Sequence, residues 1–553
     1  MLRQCSPAAA GAAAPLGPAS RRSGWVRACW VHGRQYDATV TQVGGDAVDS
    51  RDSDGACCSL GAAGADEVVV IPWPLLLRQR VAHRAHTSNR YRWWVLITVL
   101  VGLFSINVTF TILAVALPTI ARELHSTTNT LTWVITGPTL AFGVAAPVLG
   151  KAGDIWGYRR LYLLGLAGGF CCATLSALAP NAGSLIAVRT LEGLEGAATG
   201  AASMALIFQV FEPGDRVKAM GWWSLIGAGG PVIGVTLGGP LIDRFGWRAL
   251  FIGQAPLSLS ALLVAFAILP GNQRRIQRRL DWAGAGALTV SVTSLLFALN
   301  RGPEAGWTSP EVLIAFVLTP VMAVVFWAIE RRTAEPLLPL RYLRRRNFVY
   351  PIGAQVFANF AYLGGFILAP LLLERVYGYT ATDAGLLVIA RPIAFSLTAP
   401  VAGYLAVRIG ERVSAVAGSA AVGGSMLVFS ALSHDSGLTM ITFALALSGV
   451  GLGVASPSIA ASVANAVDAA DLGIASATQQ LMTQVGSAAG IQVMETVQIA
   501  REPSAGLLGS FSEAYLVGFA ASVLAVVCAL GIRRATRDER GRLTADDLIM
   551  VPG

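Results

Sequence analysis

From Trp93 onward the chain is a succession of long apolar runs, each bounded by Gly, Pro or charged residues. A helix rising 1.5 Å per residue needs about 20 such residues to cross the hydrocarbon core of a bilayer. The pattern predicts fourteen membrane-spanning helices, over 93–118, 131–149, 161–180, 184–209, 220–242, 249–270, 282–300, 311–329, 348–372, 384–404, 413–432, 437–460, 474–495 and 514–533. The runs are continuous rather than alternating, so the expected fold is an all-α membrane protein and not a β-barrel.

One span departs from the pattern. Within 184–209, the segment LIAVRTLEGLEGAATG carries Arg189, Glu192 and Glu195 at i, i+3 and i+6, so successive members are neighbours on the helix. A charge at mid-bilayer costs at least ~2.5–3.5 kcal/mol. These three therefore belong in a water-filled or protein-lined cavity, the mark of an ion or substrate path. A structural ion pair of Arg189 with Glu192 explains one glutamate better than two.

Charge placement predicts orientation. Loops after even-numbered spans hold most of the Lys and Arg, such as Lys151, Arg159 and Arg160, or Arg274, Arg275, Arg278 and Arg279. Loops after odd-numbered spans hold Arg122, Arg244, Arg248, Arg301, Arg375 and Arg501. The positive-inside rule then places both termini in the cytoplasm, in a multi-pass protein of the cell membrane.

Composition agrees: 54% of residues are hydrophobic and 13% charged, against about 25% charged in soluble domains. The net charge of +9 lies in short loops and does not suggest a nucleic-acid partner. The seven cysteines show neither metal-ligand spacing nor a disulfide framework. Gly150-Lys151 is followed by Ala152, so no phosphate-binding loop is present, and no His-Glu-x-x-His occurs. No enzyme chemistry, metal or cofactor is implied. Trp222, Trp223 and Trp247 read as interfacial anchors.

Residues 1–88 are rich in Ala, Gly, Ser, Asp and Arg, without a helical period. They read as a disordered extension or as a start placed too early. Beyond them, an internal repeat organises the chain. GKAGDIWGYRR (150–160) follows span two and GYLAVRIGERV (403–413) follows span ten. Two related six-helix halves would then occupy 93–270 and 348–533. The region 271–347 would hold two extra central helices, and 534–553 a cytoplasmic tail. Secondary transporters are often built from such repeats, with the site between them.

The segment Gly150 to Arg160, with Asp154, Gly157 and Arg159, resembles the loop signature of the major facilitator superfamily. Arg189-Thr-Leu-Glu192-Gly193-Leu-Glu195-Gly196 resembles its fourth-helix motif. Gly227, Gly230, Pro231 and Gly234 resemble the fifth-helix motif of its antiporters. Ala114-Val-Ala-Leu-Pro118, Gly246-Trp247-Arg248 and Gly473-Ile-Ala-Ser476 are similar to its fourteen-helix drug:proton antiporter branch. The resemblance covers about Trp93 to Arg534. It implies two six-helix bundles plus two extra helices. It also implies a gating loop at Gly150, Asp154, Gly157, Arg159 and Arg160, and proton-coupled export of small molecules by a monomer.

The chain departs from that branch in the first span, where Thr109 stands at the usual acidic position. Glu195, extra relative to the family, is the expected replacement: Arg189 neutralises Glu192, which leaves Glu195 to carry the proton. The second copy of the loop has Val407 where the first has Asp154. Asn107, Thr109, Thr111, Gln254, Gln355, Asn359, Arg391, Gln480 and Gln484 are polar positions within spans and candidates for the substrate cavity. Hydrogen-bonded glue between helices is the alternative for each amide. Arg391 would pair with a glutamate across the halves or bind an anionic group of the substrate. The expected function is export of small, largely apolar drugs or secondary metabolites in exchange for protons. A metabolite symporter or uniporter of the same fold is the alternative, and a membrane sensor or enzyme without transport is the alternative of another class.

Overall fold

The computed structural model describes residues 30–31, 34–35, 90–131, 133–271, 281–333 and 335–533. The chain divides into two units, Met1–Val70 and Ile71–Gly553. The described part of the first unit is a short antiparallel ladder, β1 (Trp30–Val31) with β2 (Arg34–Gln35). The remainder of 1–88, and the tail 534–553, lie outside the described residues.

The second unit is helical. Its first six long helices are α1 (Tyr91–Glu123), α2 (Trp133–Trp156), α3 (Tyr158–Ala177), α4 (Ala182–Val210), α5 (Arg216–Phe245) and α6 (Arg248–Ile268). Then come α7 (Trp282–Ala305) and α8 (Pro310–Glu330), followed by α9 (Arg346–Arg375), α10 (Ala390–Ile409), α11 (Glu411–Ser430) and α12 (Leu438–Asn465). The final helical stretch, Leu472–Leu530, breaks at Gly506, where φ is 74° and ψ 172°. We treat it as α13 (472–505) and α14 (507–530). Among the described residues, ten helices are long and apolar enough to cross a membrane. The helices α1, α4 and α5 run for 33, 29 and 30 residues, longer than the roughly 20 a bilayer requires.

Helices α1–α6 pack around one apolar core and α9–α14 around another, giving two lobes. The repeat is visible in their contacts. Gly157 and Gly410, 253 positions apart, both take a left-handed φ, 95° and 94°, which glycine adopts without a Cβ penalty. Each makes the tight turn into the next helix, α3 or α11. Gly193 of α4 lies so close to the Pro138 carbonyl of α2 that an added Cβ would come within 2.2 Å of it. At the equivalent crossing Gly449 of α12 meets the Arg391 carbonyl of α10, with 2.1 Å for the same Cβ. Gly193 and Gly449 are 256 positions apart. The loop 431–437 exceeds 178–181 by three residues, which accounts for the change from 253 to 256.

The lobes meet through α2 with α13 and through α5 with α10. Small residues line both seams. Gly150 faces Gly473 and Ala477, Gly403 faces Val217, and Gly221 faces the Ala399 carbonyl. Beside the first seam, α7 packs on α2 and α13, and α8 packs on α7, where Ser291 donates to the Thr319 carbonyl at 2.9 Å.

Candidate functional site

Buried charge concentrates in α4. The helix starts at a capping box, in which Asn181 accepts the Ser184 amide at 2.8 Å, satisfying one of the free amides of the first turn. Two turns in, Arg189 is 2% exposed, and Glu192 and Glu195 are each 6% exposed. Arg189 pairs with Glu192. The second Glu192 oxygen accepts from Gln254 of α6 at 3.1 Å. The Arg189 guanidinium lies 5.8 Å from the Phe251 ring, which meets Trp247 edge-on. Trp247 is fully buried and donates to Glu123 at 2.8 Å. That corrects its reading as an interfacial anchor: the ring is packed inside the lobe, and only its N–H reaches an exposed carboxylate at the end of α1.

Glu195 stands apart from this group. Residues six apart are turned by about 120°, so Arg189 and Glu195 do not share a face. Gly200 marks the side of α4 that meets the other lobe, since its added Cβ would lie 2.6 Å from Gln480 Nε2. Glu195 is about 140° away from it and faces α3. There Gly165, Gly168 and Gly169 leave a slot for the side chain, and an added Cβ on Gly169 would lie 3.0 Å from Glu195 Oε1. Thr199 donates weakly to Oε2 at 3.4 Å. Oε1 is buried without a hydrogen-bond partner among the described residues. The structure joins Arg189, Glu192 and Gln254 by hydrogen bonds and turns the neighbouring Glu195 carboxyl toward α3 within the same lobe.

The loop signature works through helix capping. Asp154 is 2% exposed. It accepts the amides of Gly473 at 2.8 Å and Ile474 at 3.1 Å, and the Tyr158 hydroxyl at 2.5 Å. A carboxylate at a helix N-terminus satisfies free amides and opposes the helix dipole. Arg159 instead donates to the Phe266 carbonyl of α6 at 2.7 Å, and Arg160 is exposed. At the other seam, where Val407 replaces the aspartate, Arg216 donates to Asn465 Oδ1 at 2.9 Å, and Asn465 donates to Glu411 at 3.1 Å.

The fifth-helix motif lies along the second seam, where Gly229 of α5 comes within 3.3 Å, as an added Cβ, of Ser396 Oγ. Gly230 is buried and Gly227 half-buried. Beyond their backbone, Pro231 and Gly234 lie outside the described residues, and so do the side chains of Thr109 and Thr111.

The remaining cavity candidates divide. Gln355 donates to Thr483 at 2.9 Å, and Asn359 and Asn107 return to carbonyls of their own helices at 2.8 Å. Only the Gln355 bond, which joins α9 to α13, matches the glue alternative. Gln480 faces α4 between the lobes, half-buried, and Gln484 lies one turn on. Glu495 was missed by placing it at the end of a span. The helix continues to 505, and Glu495 is half-buried on α13, about 60° round from Gln480. Arg391 is 0% exposed inside the second lobe and, among the described residues, pairs with no glutamate across the seam.

Residues 99–491 match the sequence profile of the Major Facilitator Superfamily. The chain belongs to that superfamily. It is therefore a membrane-embedded transporter of small molecules and not an enzyme, in the branch that the drug-resistance relatives represent. It is 31% identical to multidrug resistance protein Stp of Mycobacterium tuberculosis (strain CDC 1551 / Oshkosh), over 74% of this chain and 76% of that one. It is 28% identical to the tetracenomycin C resistance and export protein of Streptomyces glaucescens, over 76% and 79%. Puromycin resistance protein pur8 of Streptomyces alboniger is 30% identical, over 73% and 82%. The fold is similar to that of the human organic anion transporter MFSD10 (TETRAN), with a TM-score of 0.57 at 17% identity, over 79% of this chain and 99% of that one.

Proposed function

We propose that this transporter exports small, largely apolar compounds across the cytoplasmic membrane in exchange for protons, as a monomer with no nucleic-acid partner. The Asp154 end and both termini then face the cytoplasm. The bodies 93–270 and 348–533 rock about a central site, and 271–347 supplies the flanking pair α7 and α8. The named relatives, resistance and export proteins, support the direction of transport. A seam closed at the Asp154 end corresponds to a state sealed from the cytoplasm.

One observation carries the proton reading: Glu195 is buried in the middle of α4 with an oxygen that has no partner among the described residues, while Glu192 is held by Arg189 and Gln254. A buried carboxylate without a cation is costly, and an ionisable group inside a membrane is a functional group by default. The energy suffices: at about 2.3 kcal/mol per charge per 100 mV, one electrogenic proton sustains roughly a fifty-fold gradient.

Everted vesicles test this. With the lumen acidified, wild-type vesicles should accumulate a hydrophobic drug such as puromycin, and an uncoupler should discharge it. Glu195→Gln should abolish the accumulation at unchanged membrane abundance. Undiminished accumulation in that variant removes Glu195 from coupling. Accumulation that ignores the proton gradient in wild type replaces exchange by uniport.

A further inference from the structure

Arg391 of α10 is a buried cation with no part in proton coupling. Its Nε, Nη1 and Nη2 all lack a hydrogen-bond partner among the described residues. The guanidinium stacks on the Tyr362 ring at 4.3 Å, with the Phe366 ring at 5.9 Å. Tyr515 of α14 lies within electrostatic reach, and its hydroxyl is also buried without a partner. At Gly365 the wall has no side chain: an added Cβ would lie 3.5 Å from Arg391 Nη2 and 3.0 Å from the flexible Met426 terminus.

Stacking on an aromatic face recovers only part of what burying an ion costs. It also leaves the in-plane N–H donors unanswered. The group therefore has donors and aromatic walls, but no acceptor. A carboxylate supplies two acceptors at the spacing of the guanidinium fork, and the Tyr515 hydroxyl offers one more donor.

We propose that Arg391, Tyr362 and Tyr515 form a binding site for an organic anion: a small, apolar, planar molecule carrying one carboxylate. The site lies in the second lobe, where Arg391 occupies the repeat position of Pro138. Reaching it requires α9, α10 and α14 to separate within the second lobe, where Arg391 and Tyr515 are 0% exposed.

The test is thermal unfolding of the purified full chain in detergent, titrated with benzoate. Parallel arms use benzamide, which has the same ring without the charge, and sodium chloride at matched ionic strength. Benzoate alone should raise Tm saturably, Arg391→Gln should remove the shift, and Tyr515→Phe should weaken the apparent affinity several-fold. An equal shift with benzamide or chloride, no saturable shift with benzoate, or a shift retained in Arg391→Gln overturns the proposal. The wild-type arms decide even if Arg391→Gln does not fold. No proton gradient enters the measurement, so failure of proton exchange in vesicles and failure of anion binding are separate results.

Discussion

The Asp154 carboxylate of one lobe accepts the Gly473 amide of the other at 2.8 Å. A loop residue thereby caps a helix across the seam and ties closure of that end to one side chain. Asp154→Asn keeps one acceptor and loses the charge. Losing about 2 kcal/mol of charge-assisted hydrogen bonding would shift the closed-to-open ratio roughly 30-fold. Ala477, fully buried against Gly150, is the reporter position. Cysteine at 477 should react faster with an impermeant maleimide in the Asp154→Asn background, and an unchanged rate would refute the clasp.

Arg189 and Glu192 form a buried pair, so single and double substitutions should diverge. Glu192→Gln leaves the guanidinium uncompensated and should cost about 3–5 kcal/mol, whereas Arg189→Met with Glu192→Leu should recover most of that stability. Thermal unfolding of the three proteins measures the difference. Recovery of stability without recovery of transport would assign the pair to the cycle rather than to the scaffold.

Helix crossings set a third expectation. Gly193→Ala and Gly449→Ala each drive a Cβ into a carbonyl oxygen and should destabilise by about 1–3 kcal/mol. Gly385→Ala meets nothing within 4 Å and should leave Tm unchanged. Comparable losses at all three positions would contradict the packing.

Outside the membrane, Tyr342 donates to buried Asp471 at 2.6 Å. Burial first, and then this bond, push its phenol well above the ordinary tyrosine value. A raised pKa in the folded state gives stability that is complete below the unfolded value of about 10 and is lost as pH rises through the folded one. Tyr342→Phe should therefore be less stable than wild type at pH 7, by about 1.5–3 kcal/mol for the lost hydrogen bond to a charged group, with Arg341 still beside Asp471 at 3.4 Å. The gap should narrow only above about pH 10, and a gap that is flat with pH throughout would argue against the bond. Arg345 and Asp468 are exposed partners, so Arg345→Ala should change Tm little.

Legibility followed sequence distance. Apolar runs betrayed the helices because a span must be apolar along its whole length. Polar ends misled: α13 runs on through Glu495 and Arg501 well past its apolar stretch. The Arg189–Glu192 pair is local and was readable at i, i+3. Its third member, Gln254, comes from another helix 62 positions away, and only folding shows that. Each three-residue step drifts round the helix, so the i+6 member, Glu195, turns toward α3. The aromatic surroundings of Arg391 come from α9 and α14, separated from it along the chain, and no motif announces them.

The three residues that lengthen 431–437 over 178–181 leave the glycine crossings on either side undisturbed. That hairpin therefore marks a place where the duplicated scaffold has already absorbed added chain. An epitope tag or fluorescent reporter spliced there should be carried without loss of the folded transporter, giving a handle on the face opposite Asp154.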